Sequence, residues 1–166
     1  DWTLLDSDRF DKLFLGLYAS DDVLRTGTAA VVEQIARKRP GLLVVHIEEL
    51  VDTVCCDSLP VVRAHVAMML GHLAPYEHVM PLVVPALLEM LGDVSESVQC
   101  QALASLATIG GNYPNWRSQI VSSIAPLRFH TSTVVRSCAE QAVRLLSDSQ
   151  SVASPDRNAG GDSGSV

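Results

Sequence analysis

Five histidines, four cysteines and a Gly-Gly-Asn stretch are the residues of this chain whose types could support chemistry. Facing His-Glu dipeptides can hold two metals between helices, but His46, His65, His72, His78 and His130 are followed by Ile, Val, Leu, Val and Thr. His65 and His72 are seven residues apart in sequence, which on a single helix separates them by roughly 10 Å along the axis. That is too far to share an ion through bonds of about 2 Å, so both read as surface or half-buried side chains. Cys55, Cys56, Cys100 and Cys138 form no CxxC and no Cys/His pair at zinc spacing. All four are expected to be buried, reduced thiols, with Cys100 and Cys138 beside a packed helical column. Nucleophilic catalysis needs a base and an oxyanion cradle next to the nucleophile, and no Gly-x-Ser-x-Gly occurs. Gly110-Gly111-Asn112 lacks the lysine and the glycine spacing of a phosphate loop and reads as a helix-ending turn. No catalytic residue, metal or cofactor is expected.

The elements that must carry any remaining function are helical. The 166 residues are 48% hydrophobic and poor in aromatics, a composition of Leu, Val and Ala helices around one core. No apolar run approaches the roughly 20 residues of a membrane span, and no basic region precedes an apolar one as in a signal peptide. The chain is read as intracellular and cytoplasmic, and as part of a longer or processed protein because it opens on Asp1. A net charge of -7 disfavours nucleic acid, whose phosphates it would repel. Arg37-Lys38-Arg39 is the one basic cluster in the sequence, and it falls at an expected helix end, where cations offset the helix dipole.

The segments LRTGTAAVVEQI from Leu24, VRAHVAMMLGHL from Val62, VQCQALASLATI from Val98 and VRSCAEQAVRLL from Val135 align with one another. Their offsets are 38, 36 and 37 residues. Apolar positions fall at the first residue and four, eight and eleven residues on, as in Val62, Val66, Leu70 and Leu73, with Thr28 the one polar member, in the first copy. That is one helical stripe repeated at nearly constant period. Second apolar segments lie between, at 41–54, 79–91 and 115–127, each preceded by a breaker: Pro40-Gly41, Pro75, and Gly110-Gly111 with Pro114. The unit is helix, short turn, helix, very short turn, with Gly92-Asp93 and Cys56-Asp57 as joints between units.

With Val-Pro-x-Leu-Leu-x-x-Leu-x-Asp at Val84 to Asp93, Asp57 and Asp93 five residues before the column valines, and the pairs Val62-Arg63 and Val135-Arg136, the chain resembles the HEAT-repeat family of α-solenoids. The resemblance covers about Asp21 to Ser147. It implies an all-α, right-handed α-solenoid of about three and a half HEAT-like helical hairpins, with repeats near 21–56, 57–92 and 93–129 and a half repeat at 130–147. It also implies an arginine-aspartate ladder between neighbouring repeats, complete here only at Arg63 with Asp57 and Asp93. Gln99 replaces the arginine in one copy and His130 the aspartate in another.

Residues 1–20 are expected to hold a capping helix, started by Asp6 or Ser7, and 148–166 a disordered tail. The last copy has no second helix and reads as a half repeat that serves as a cap, with a docking face for a second chain at Val135, Ala139, Ala142 and Leu146 as the alternative. In solenoids of this family the second helices line the concave face. Those of this chain place His46, Glu49, Asp52 and Glu89 there, then Trp116 and Arg117. The expected function is a protein-binding scaffold whose partner presents a basic segment. The alternatives are a HEAT-like lyase or lyase accessory handling a bilin chromophore, or a structural subunit of a larger assembly.

Overall fold

The computed structural model describes residues 7–52 and 54–151. Among them the chain is all-α: α1 (Ser7–Phe14), α2 (Asp22–Lys38), α3 (Ile47–Asp52), α4 (Pro60–His72), α5 (Met80–Met90), α6 (Glu96–Asn112), α7 (Pro114–Ile124) and α8 (Thr133–Ser151). Short 3-10 segments link them, and no strand occurs among the described residues. Helices α2, α4, α6 and α8 pack successively into one layer, while α3 packs on α5 and α5 on α7 to form a second. The protein is thus an all-α solenoid of stacked helical hairpins, in which each unit buries its apolar stripe against its neighbours.

The stripe read from the sequence forms the core. Val62, Val66, Leu70 and Leu73 are fully buried, as are Val98, Ala102, Leu106 and Ile109. In the first copy Thr28, Val32 and Ile35 are buried, but Leu24 is 57% exposed. Leu24 lies in the first turn of α2, where Asp21 caps the helix by accepting from its backbone N–H at 2.7 Å.

Val135, Ala139, Ala142 and Leu146 are at most 2% exposed, which removes the alternative of an open docking face. The segment after α7 (Ala125–Phe129) folds back onto α8, and α6 and α7 cover the rest. The column therefore offers no face to a second chain. Helix α8 also continues through Ser151, past the expected end at Ser147. Asp6 and residues 152–166, where a cap and most of the tail were expected, lie outside the described residues.

Two local readings change as well. Gly110 and Gly111 do not end α6, which runs on to Asn112; Pro114 at the start of α7 makes the break. Gly110 instead permits close packing, since a Cβ there would lie 2.6 Å from Leu146 Cδ2 and 3.3 Å from Ile120 Cδ1. The first repeat's second helix is also short, because 3-10 turns occupy Pro40–His46 before α3 begins.

Candidate functional site

The joints between repeats carry most of the buried polar contacts. At the second joint Arg63 makes a bidentate ion pair with Asp93, Nε to Oδ2 at 2.6 Å and Nη2 to Oδ1 at 2.8 Å. Its Nη1 donates to the carbonyls of Asp57 at 2.7 Å and Ser58 at 3.3 Å, strapping the turn before its own helix. Asp93 in turn accepts from the Ser95 backbone N–H at 2.8 Å. The Arg63 hydrogen bond, aided by that of Ser95, holds the Asp93 carboxyl below its ordinary pKa against the opposing effect of burial. The same bond raises the Arg63 guanidinium.

The first joint carries a related single contact that lacks the bidentate hydrogen bonding of Arg63, with Arg25 Nη2 turned to Asp22 Oδ1 at 2.8 Å. Arg25 Nε lies 2.8 Å from Asp57 Oδ2, and its Nη1 donates to the Ala19 carbonyl at 2.7 Å. Asp57 accepts from the Leu59 backbone N–H at 2.7 Å. At the third joint the pattern fails on both sides. Gln99 donates to the Leu91 carbonyl at 3.2 Å, and His130 Nδ1 accepts from the Ser132 backbone N–H at 3.1 Å, so the histidine keeps only the turn-forming part of the aspartate's task. Arg136 still straps its own turn through the His130 and Thr131 carbonyls, at 2.7 and 3.0 Å.

That joint holds a disulfide between Cys100 of α6 and Cys138 of α8, with their Cα atoms 5.6 Å apart. This corrects the expectation of buried reduced thiols at these positions: each cysteine is half-buried on facing helices, not in the column. Cys56 is exposed, which also departs from that expectation, and Cys55 is half-buried with its thiol toward the Met90 sulfur at 3.7 Å. Burial, reinforced by Cys56 and Glu89, pushes the Cys55 pKa up to about 12, so it is a poor nucleophile.

Further ties span one repeat period. Glu33 meets His72 at 2.7 Å, Ser105 donates to the Ala67 carbonyl at 2.8 Å, and Tyr113 donates to the Ala74 carbonyl at 2.7 Å. Their separations of 38 or 39 residues lie within three of the repeat offset, the signal by which a sequence search could have found them.

The six expected binding residues divide into two groups. His46 faces inward, stacked on Phe14 with ring centroids 4.1 Å apart, its Nε2 2.9 Å from Asp11 Oδ1. It fastens α1 to the first repeat. Arg117 donates to the Gly110 and Gly111 carbonyls at 2.8 and 3.1 Å, closing the end of α6, and Trp116 packs against the core. Glu49, Asp52 and Glu89 remain exposed on the adjacent helices α3 and α5, with Glu49 Oε2 accepting from the Tyr18 hydroxyl at 3.1 Å. No group of His, Cys, Asp and Glu able to hold a metal occurs among the described residues, and none of their helices is long and apolar enough to cross a membrane.

No protein family profile matches the sequence, and no curated protein matches it. Solved structures resemble the fold. The crystal structure of Cex1p superposes with a TM-score of 0.68 at 18% identity, covering 94% of this chain and 32% of that one. An engineered protein, a Northeast Structural Genomics Consortium target, superposes with a TM-score of 0.63 at 19% identity, covering 86% of this chain and 68% of the other. The chain thus spans about a third of the length of Cex1p, and at these identities the likeness is one of fold.

Proposed function

We propose that the protein is a non-enzymatic, cytoplasmic HEAT-type scaffold that binds a basic protein segment along its second helices. The observation that carries this reading is the pair of neighbouring helices α3 and α5, which leave Glu49, Asp52 and Glu89 exposed. The polar and aromatic residues around them are engaged inside the fold: His46 with Asp11 and Phe14, Arg117 with the end of α6. These exposed carboxylates would attract a cationic segment and orient it. Trp116 and Arg117 enter this account as the frame of α7 and not as contacts.

The test is capture from an extract of the native organism with wild type and the E49K/E89K variant side by side, followed by titration of each captured protein. The expected partner carries a Lys/Arg-rich segment, weakens tenfold or more with the double reversal, and loses affinity as salt rises. E89K alone serves as a control, because Glu49 also accepts from Tyr18 and lies 3.4 Å from His46 Nδ1. A partner whose affinity and salt dependence are untouched by the reversal contradicts the placement of the site.

A further inference from the structure

We infer that Cys100 and Cys138 form a thiol–disulfide exchange site that clamps α8 to α6 in place of the missing rung at the third joint. Three observations meet there. The first two joints are held by Arg25 with Asp57 and by Arg63 with Asp93, whereas Gln99 and His130 turn to backbone groups and make no hydrogen bond to each other. The two cysteines are 38 residues apart, one repeat period, so the bond joins adjacent repeats as a rung does. Both residues are half-buried and stand outside the fully buried apolar column.

The co-reactant is a low-molecular-weight disulfide of the glutathione type. One protein thiolate attacks a sulfur of that disulfide, forming a mixed disulfide and releasing one small thiolate. The second protein thiolate then attacks the protein sulfur of the mixed disulfide, closing the Cys100–Cys138 bond and releasing the second small thiolate. Two protein thiols lose two electrons and two protons, and one small disulfide becomes two small thiols. Reversal by excess small thiol opens the clamp. The inference concerns the stiffness of the last repeat and is independent of the partner proposed above.

The test equilibrates wild-type protein in oxidised and in reduced glutathione. Free thiols are then alkylated under denaturing conditions for peptide mapping, and amide hydrogen exchange is measured in parallel. In oxidised buffer the expected result is a linked Cys100–Cys138 peptide, with exchange of α8 amides slowed about tenfold or more relative to reduced protein and α4 unchanged. Alkylation of both cysteines after oxidised buffer, or equal α8 exchange in both states, overturns the inference. The Q99R/H130D variant addresses the replacement of the rung. Slowed α8 exchange in its reduced form supports that role, and no slowing overturns it.

Discussion

The second and third joints of this solenoid solve one packing problem with different chemistry. Between α4 and α6 the stack is tied by charge, through Arg63 and Asp93, with side chains 13% and 11% exposed. Between α6 and α8 it is tied covalently, through Cys100 and Cys138. The apolar column is equally buried on both sides, so the hydrophobic contribution does not distinguish them. In a stack whose stability is a sum of nearest-neighbour terms, the choice of polar tie decides which solution condition loosens which repeat. The middle of the chain should answer to acid, and its C-terminal helix to reductant.

The largest expected difference comes from opening the disulfide. Its loop of about 38 residues, running from α6 through α7 to the start of α8, corresponds to roughly 3–4 kcal/mol on the chain-entropy account. Asp93→Ala should cost about 3 kcal/mol at the second joint, since it leaves Arg63 buried beside backbone carbonyls without its counter-ion. Urea melts of the single variants, read by signals from α4 and from α8, would assign each loss to its joint.

Glycines sharpen the same contrast. A Cβ on Gly71 would lie 2.8 Å from Ser105 Cβ and 3.3 Å from its Cα, so Gly71→Ala must force α4 and α6 apart and is expected to cost about 2 kcal/mol. Gly110→Ala meets the movable ends of Leu146 and Ile120 and should cost under about 1 kcal/mol. Equal losses in thermal melts would show that both crossings relax alike.

The smallest effect is the acid response. Because the Asp93 carboxyl is held low in the folded state by Arg63, its contribution is complete above the ordinary carboxylate pKa of about 4. It is lost as pH falls through the lower folded value. Stability measured from pH 6 down to pH 2 should therefore fall more steeply in wild type than in Asp93→Asn. Parallel curves would place the acid response elsewhere.

Much of the architecture was legible in the sequence because it is periodic. Columns such as Val98, Ala102, Leu106 and Ile109 recur at fixed spacing, and every member of that one is buried. The departures arise where three-dimensional neighbours override the period. Leu24 lies in the exposed first turn of α2, whereas Val135, Ala139, Ala142 and Leu146 are covered in part by a chain segment that folds back from α7. Gly110 resembles a helix stop in sequence but is required by the side chain of Leu146, far along the chain. Among the binding candidates, charge and exposure were readable for Glu49, Asp52 and Glu89. The inward turn of His46 was not, because it depends on Phe14 and Asp11 from the leading helix.

Binding of a basic segment across α3 and α5, as proposed, would be seen in the hydrogen-exchange footprint of a captured partner on the wild-type chain. Exchange in Ile47–Asp52 and Met80–Met90 should slow on binding, with α2, α4 and α6 unchanged. A footprint confined to α2, α4 or α6, or slowed exchange in α3 and α5 that persists with E49K/E89K at unchanged affinity, would contradict it.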